Sequence, residues 1–216
     1  MSLKMEDLFR DMLEKSPSTS TISIIGRMRS GKTTFARLFS QFIKRYYENQ
    51  GYSIYYTEFD PIELENLETV ENMIREMSKD VNIIIMDDLS FRFTGNTKIA
   101  RDLFNMISRI AHITLSDYNY IFFISHYSRS ISPFLRASNI LVLTSISHPE
   151  IASLKELFTL SSLYDYLYYV ENNPDRHIYL IRYHVFERIV DFTIEKLRKP
   201  KTKTERLKDP FYPPVS

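Results

Sequence analysis

The spacing of apolar residues changes period repeatedly along the 216-residue chain. Met5, Leu8, Phe9, Met12 and Leu13 recur at three- and four-residue intervals, which predicts a short amphipathic helix over 4–15. Ser16-Pro17-Ser18-Thr19-Ser20 follows as a linker. The pattern then becomes β-branched and predicts a strand over 21–25, ending Ile22-Ser23-Ile24-Ile25. A helical period runs from Lys32 to about Asn49 and stops near Gly51, and a second strand covers 53–57. Asp60-Pro61 reads as a cap followed by a first-turn proline, opening a helix with Leu67, Val70, Ile74 and Met77 on one face. Residues 81–86 are apolar apart from Asn82, as in a strand covered on both faces. A helix over 96–116 carries Ile99, Leu103, Met106, Ile110 and Ile113 as its buried stripe. Strands follow at 120–125 and 140–144, and helices at 149–158 and 161–169. Residues 177–186 alternate loosely, as in a late strand or hairpin.

Strands alternating with helices argue a doubly wound α/β fold with a mostly parallel sheet. We read one central domain over 20–190, an N-terminal helix and linker over 1–19, and a basic, proline-containing tail over 191–216. In such sheets ligands sit beyond the carboxyl ends of the strands. Bulk composition then narrows the chemistry. There is no cysteine, which excludes disulfides and thiolate sites. The net charge of +1 excludes a molecule that is basic all over, so any nucleic-acid surface is local. No apolar run has the length of a membrane span and residues 1–13 do not read as a signal peptide, so the expectation is a soluble protein of the cytoplasm.

The candidate chemistry lies at strand ends. Gly26-Arg27-Met28-Arg29-Ser30-Gly31-Lys32-Thr33 is a full G-x-x-x-x-G-K-[ST] loop between the first strand and its helix, and it uses two of the chain's four glycines. Backbone N–H groups of such a loop, through Thr34 in the first helical turn, cradle phosphates at a helix N-terminus. Lys32 then neutralises β- and γ-phosphate oxygens, and the Thr33 hydroxyl ligates Mg²⁺, so ATP and Mg²⁺ are the expected ligands. The third strand ends in Asp87-Asp88. Asp87 is placed to hold Mg²⁺ through its waters, and Asp88 to orient or deprotonate the attacking water. Asp is one bond shorter than the Glu many such ATPases carry there, which points to slower hydrolysis or an extra water. Ser125 and His126 end the fourth strand, where either can sense the γ-phosphate. His112, His148, His177 and His184 show no ligand spacing and read as structural or surface groups. Arg101, Asp102, Asn105, Ser108, Arg109 and His112 share the helix side away from the apolar stripe, and a guanidinium suits a developing γ-phosphate charge.

Taken in order, the phosphate loop, Glu58-Phe59-Asp60-Pro61, Asp87-Asp88, Ser108–His112, Ser125-His126 and Pro133–Ile140 resemble the FtsK–HerA superfamily of P-loop ATPases. The Gly-Arg-x-Arg-Ser-Gly-Lys form of the loop is similar to that of small genome-packaging ATPases of archaeal icosahedral viruses. The resemblance spans roughly residues 20–160. It implies a RecA-like sheet of the additional-strand type, a homo-oligomeric ring (a hexamer), double-stranded DNA as the translocated partner, and a capsid or virion partner. For a viral protein the location becomes the host cytoplasm or virion. It also implies that Arg109 reaches a neighbour's nucleotide, with Arg136 as a second candidate. Two residues depart from the family: His126 stands where Gln is usual, and Asp88 where Glu is usual.

Other features leave the cargo open. Lys196, Arg198, Lys199, Lys201, Lys203, Arg206 and Lys208 form a basic run able to lie on phosphates or to serve as a solvated tail. Phe91, Arg92, Phe93, Lys98, Arg101, Tyr127 and Arg129 fall on or near loops that could line a pore. Besides a DNA motor, the residues admit an assembly ATPase acting on protein, a small-molecule kinase, and a nucleotide-gated switch that hydrolyses little.

Overall fold

The computed structural model describes residues 5–60, 62–87, 98–126 and 136–192. Its elements are α1 (Met5–Glu14), β1 (Thr19–Ile25), α2 (Lys32–Glu48), β2 (Ile54–Phe59), α3 (Leu67–Met77), β3 (Val81–Met86), α4 (Lys98–Thr114), β4 (Tyr118–Ser125), β5 (Ile140–Leu143), α5 (Ile151–Leu154), α6 (Leu160–Asn172), β6 (Ile178–Tyr183) and β7 (Phe186–Asp191). The strands form one sheet in the order β2-β3-β4-β1-β5-β6-β7. The first five are parallel, and β6 and β7 extend the sheet as an antiparallel hairpin. β4 lies between β1 and β3, so the strand carrying the phosphate loop and the strand ending in Asp87 are separated by one intervening strand. This is the additional-strand arrangement that the resemblance implied.

Alternation within the buried strands assigns their side chains to two layers. Ile22, Ile24, Phe122 and Ile124 face α1 and α2, together with Phe35, Phe39 and Ile43. Ile84, Met86, Ile121 and Phe123 face α3 and α4 through Val70, Ile74, Met106 and Ile110. Leu141, Leu143 and Leu180 pack beneath α5 and α6 through Leu154, Leu163 and Tyr166. α1 is built into the first layer. Its Phe9 ring meets Phe35, Phe39, Phe42 and Phe192 at centroid distances of 5.6, 4.8, 5.7 and 6.0 Å. Some polar groups in the core are paired with one another, as in the 2.7 Å contact between the Tyr47 and Tyr120 hydroxyls. Burial pushes the Tyr47 phenol up to about 12, so this contact joins two neutral groups.

Several boundaries differ from the sequence expectation for local reasons. β1 and β4 begin two residues early because Thr19 and Asn119 pair in register and the Asn119 N–H donates to Ser18 O at 2.7 Å. The expected helix after Asp60 is divided: a 3₁₀ turn at Glu63–Glu65 precedes α3, which Asn66 caps by accepting from Thr69 N–H at 3.1 Å. Met77 is 54% exposed and leaves the buried face of α3 to Val70 and Ile74. α4 stops at Thr114 because Leu115 turns to a positive φ of 52°. The loose alternation after His177 resolves as the β6–β7 hairpin, turned at His184 (φ 53°).

Phe9→Ala removes a ring at the meeting point of α1, α2 and the chain after β7. Truncation of a buried Phe costs about 3–5 kcal/mol. Urea denaturation should show a loss in that range in one cooperative transition; a loss below about 1 kcal/mol would mean α1 is not part of the core.

Candidate nucleotide site

The phosphate loop leaves β1 at the carboxyl edge of the sheet and is anchored to the end of β5. Gly26 N–H donates to Ser125 O at 3.4 Å, and Arg27 N–H to Ser145 Oγ at 2.7 Å. Thr144 N–H donates to Ile25 O at 2.8 Å, and the Ser30 and Thr144 hydroxyls are in contact. This closeness explains the first glycine. A Cβ on Gly26 would lie 2.0 Å from Thr144 Oγ1 and 2.8 Å from Ser30 Oγ. Gly31 is required by conformation: it has φ 89°, in the left-handed region, and its Cβ would lie 2.8 Å from the Tyr179 hydroxyl. Thr144, Ser145 and Tyr179 are supports that the sequence did not reveal, since they are more than a hundred residues away from the loop.

α2 begins immediately after Gly31, with no side-chain cap and no acidic residue in its first turn. The first intrahelical bond runs from Phe35 N–H to Gly31 O at 2.9 Å, so the Thr33 and Thr34 amides precede the ladder. Aligned N–H groups and the helix dipole give this end positive potential. Met28, Arg29, Ser30, Gly31, Lys32, Thr33 and Thr34 line a cleft of about 580 Å³, closed by Asp87, His126 and His177.

Lys32 is the centre of this cleft. It is only 6% exposed, and its ammonium donates to Gly26 O at 2.8 Å and Arg27 O at 2.6 Å, with His126 Nδ1 at 3.2 Å. Beside it, Thr33 Oγ1 donates to Asp87 Oδ2 at 3.1 Å. A hydroxyl and a carboxylate meeting at the start of α2 form a hard-oxygen pair that fits Mg²⁺. Among the described residues no group of three or more His, Asp or Glu side chains could hold a metal. At the end of β4, His126 enters the cleft, whereas the buried Ser125 hydroxyl has no hydrogen-bond partner among the described residues.

A second layer flanks the Asp87 side. Arg37, one turn after Thr33, donates to both Glu58 oxygens, Nε at 3.2 Å and Nη2 at 2.9 Å, and the Tyr56 hydroxyl also donates to Glu58. Burial opposes ionisation of Glu58, but the hydrogen bonds from Arg37 and Tyr56 outweigh it and hold the carboxyl below its usual range.

The remaining candidates are placed apart. Arg109 is exposed on α4, bound to Glu71 Oε2 at 3.4 Å and to Asn105 O at 3.2 Å. Arg136 pairs with Glu156 at 2.6 Å. Neither lines the cleft. Asp88, Phe91, Arg92, Phe93, Tyr127, Arg129 and the basic run from Lys196 lie outside the described residues. His177, read from sequence as structural or surface, is exposed and sits at the cleft wall.

No protein-family model matches the chain, and no curated protein matches its sequence. Solved structures do match its fold. The genome packaging NTPase B204 from Sulfolobus turreted icosahedral virus 2, in complex with ATP-gammaS, aligns with TM-score 0.55 and 11% identity over 82% of this chain and 97% of its own. Its complex with AMPPCP gives TM-score 0.53 and 12% identity over 81% and 97%. B204, the DNA-packaging ATPase from Sulfolobus turreted icosahedral virus, gives TM-score 0.53 and 13% identity over 79% and 96%. This chain thus resembles the small viral packaging ATPases at the level of fold, an α/β P-loop NTPase fold with a seven-stranded, mostly parallel sheet. No helix among the described residues is long and apolar enough to cross a membrane.

A carboxyl with a depressed folded-state pKa stabilises the fold above its unfolded pKa, and that stability is lost as pH falls through the folded value. Glu58 belongs to this class, as do Asp11, lowered by Lys15 and Tyr183, and Asp80, lowered by Ser53. Thermal melting should therefore fall steeply as pH drops below about 4. Glu58→Gln should flatten that fall, and an unchanged pH profile would show that Glu58 is not held by Arg37 in solution.

Proposed function

We propose that this chain is an ATPase that assembles into a ring and moves double-stranded DNA, in the manner of a viral genome-packaging motor. The convergence of Lys32, the Thr33–Asp87 pair and His126 on one helix N-terminus carries the nucleotide part of this reading. The likeness to packaging ATPases supports the motor part.

In this reading the loop amides and Lys32 bind the β- and γ-phosphates and stabilise charge that spreads over the γ-phosphoryl oxygens. Thr33 and Asp87 would hold Mg²⁺, which would supply positive charge to neutralise part of that developing charge. Asp88 orients the attacking water, and His126 reports the state of the γ-phosphate through Lys32. Arg109 or Arg136 reaches the nucleotide of the adjacent subunit. Exposed ion pairs such as Arg109–Glu71 and Arg136–Glu156 contribute about 0–1 kcal/mol, so a phosphate competes with either carboxylate readily. Nucleotide-driven movement of strand-end loops and the basic tail then works against the DNA backbone.

Asp in place of Glu at 88 favours one second reading, a nucleotide-gated DNA-binding protein with slow turnover. ATP turnover measured against protein concentration, with and without double-stranded DNA at low salt, separates the two. The motor predicts turnover that rises cooperatively with concentration and is stimulated by DNA. Concentration-independent turnover indifferent to DNA would remove it, and nucleotide-dependent DNA binding without turnover would select the switch. Lys32→Ala should reduce turnover by at least about 10²-fold.

The trans role of Arg109 has its own test. Arg109→Ala and Lys32→Ala proteins should each be inactive, and a mixture should regain activity at sites where an intact loop meets an intact arginine. Full activity of Arg109→Ala alone would pass the role to Arg136 or end it.

A further inference from the structure

The cleft has two unlike sides, and the difference assigns a role to His177. β1 lies between β4 and β5 in the sheet. On the β4–β3 side stand His126 against Lys32 and Asp87 against Thr33. Those contacts fix where terminal phosphates and metal belong. On the β5–β6 side, His177 is the one cleft-lining residue among those described. An elongated nucleotide with its terminal phosphate at Lys32 therefore has its other end directed toward β6.

The backbone delivers His177 there. β6 runs antiparallel to β5, with Leu180 opposite Leu143, so β6 starts at the edge where the parallel strands end. The His177 carbonyl accepts from Phe192 N–H at 2.8 Å, tying the start of β6 to the end of β7. Two residues on, Tyr179 is wedged under the loop, its ring 5.4 Å from both Phe35 and Phe192. His177 Nδ1 lies 3.9 Å from the point where a Gly31 Cβ would sit, next to the first turn of α2. The imidazole is exposed and donates or accepts no hydrogen bond with a described residue.

Resting on the ATPase reading above, we infer that His177 is the nucleobase contact of this site, its imidazole presenting a planar face on which a purine ring stacks. Flat rings bind bases through stacking that tolerates the identity of the base and does not need hydrogen-bond readout. Phosphate recognition is already provided across the cleft by Lys32 and the loop amides. The remaining contact needed at the β6 side is with base and ribose.

Isothermal titration in Mg²⁺ buffer of ATP, ADP and inorganic tripolyphosphate into the wild-type, His177→Ala, His177→Phe and Lys32→Ala proteins tests this. His177→Ala should weaken ATP and ADP by roughly five- to tenfold, leave tripolyphosphate unchanged, and raise KM for ATP with kcat unaltered. His177→Phe should restore most of the affinity. Because the side chain is exposed, both variants should melt like the wild type. Equal weakening of tripolyphosphate would make His177 a phosphate contact and overturn the inference, as would unchanged ATP affinity in His177→Ala or failure of Phe to rescue. Wild-type protein that binds neither ATP nor tripolyphosphate, and behaves like Lys32→Ala, would overturn the nucleotide site itself. A site that binds all three ligands normally in both His177 variants would overturn only the role of His177.

Discussion

A nearly buried ammonium at the carboxyl edge of the sheet sets the terms for the rest of this structure. Taking a charged lysine out of water is costly unless oriented dipoles or counter-charges replace the solvent. The molecule meets that demand at Lys32 with the carbonyls of Gly26 and Arg27 and with His126. Those carbonyls are available only because the loop curls back on its own helix. The curl in turn requires Gly31 at φ 89° and a Gly26 without a side chain against Thr144. The position of β5 follows from the same constraint, since Thr144 and Ser145 are the atoms against which the loop closes.

The strand order turns this local arrangement into a site with direction. With β4 between β1 and β3, His126 and Asp87 arrive beside Lys32 and Thr33 from one side of the loop, and β5 with the β6–β7 hairpin closes the other. Buried apolar strands supply the rigidity. Ile83, Ile84 and Ile85 are each 0% exposed, so the residue that follows Met86 has little freedom to move away from the cleft. The aromatic cluster of Phe9, Phe35, Phe39 and Phe192 does the same for α2, coupling the N-terminal helix and the end of the hairpin to the helix that starts at the phosphate loop.

What the sequence discloses and what it hides follow from range. The loop is legible because its eight residues are contiguous and each type has a separate physical duty. Asp87 is legible because it follows the carboxyl end of a largely apolar strand, the edge where ligands sit in a parallel sheet. The position of β4 was implied by resemblance, since periodicity alone says nothing about which strands are neighbours. His177 gave no signal: a lone histidine before an alternating segment looks like a surface group until antiparallel pairing brings it to the cleft. Thr144 and Ser145 were hidden because the parallel pairing of β5 with β1, over a hundred residues apart, is what brings them to the loop. The division at Glu63–Glu65 was hidden for another, because Asn66 competes as a cap within a stretch that already contained Asp60.

The loop also holds an unfavourable backbone conformation that its surroundings enforce. Arg29 has φ 64°, which for a residue with a Cβ costs about 1–2 kcal/mol. Gly31, two residues later, is also left-handed, so the two lie on either side of Ser30. Ser30 holds this shape by donating to Arg27 O at 2.7 Å and by touching Thr144, and Ser30 N–H donates to the same carbonyl at 3.3 Å. A relaxed turn would need none of these restraints. Strain that is over-determined by neighbouring contacts means that little reorganisation of the loop is left to be done when an anion arrives. The conformational cost carried by Arg29 is in this sense the counterpart of the buried charge on Lys32: each is unfavourable alone, and each is held in place by the contacts around it.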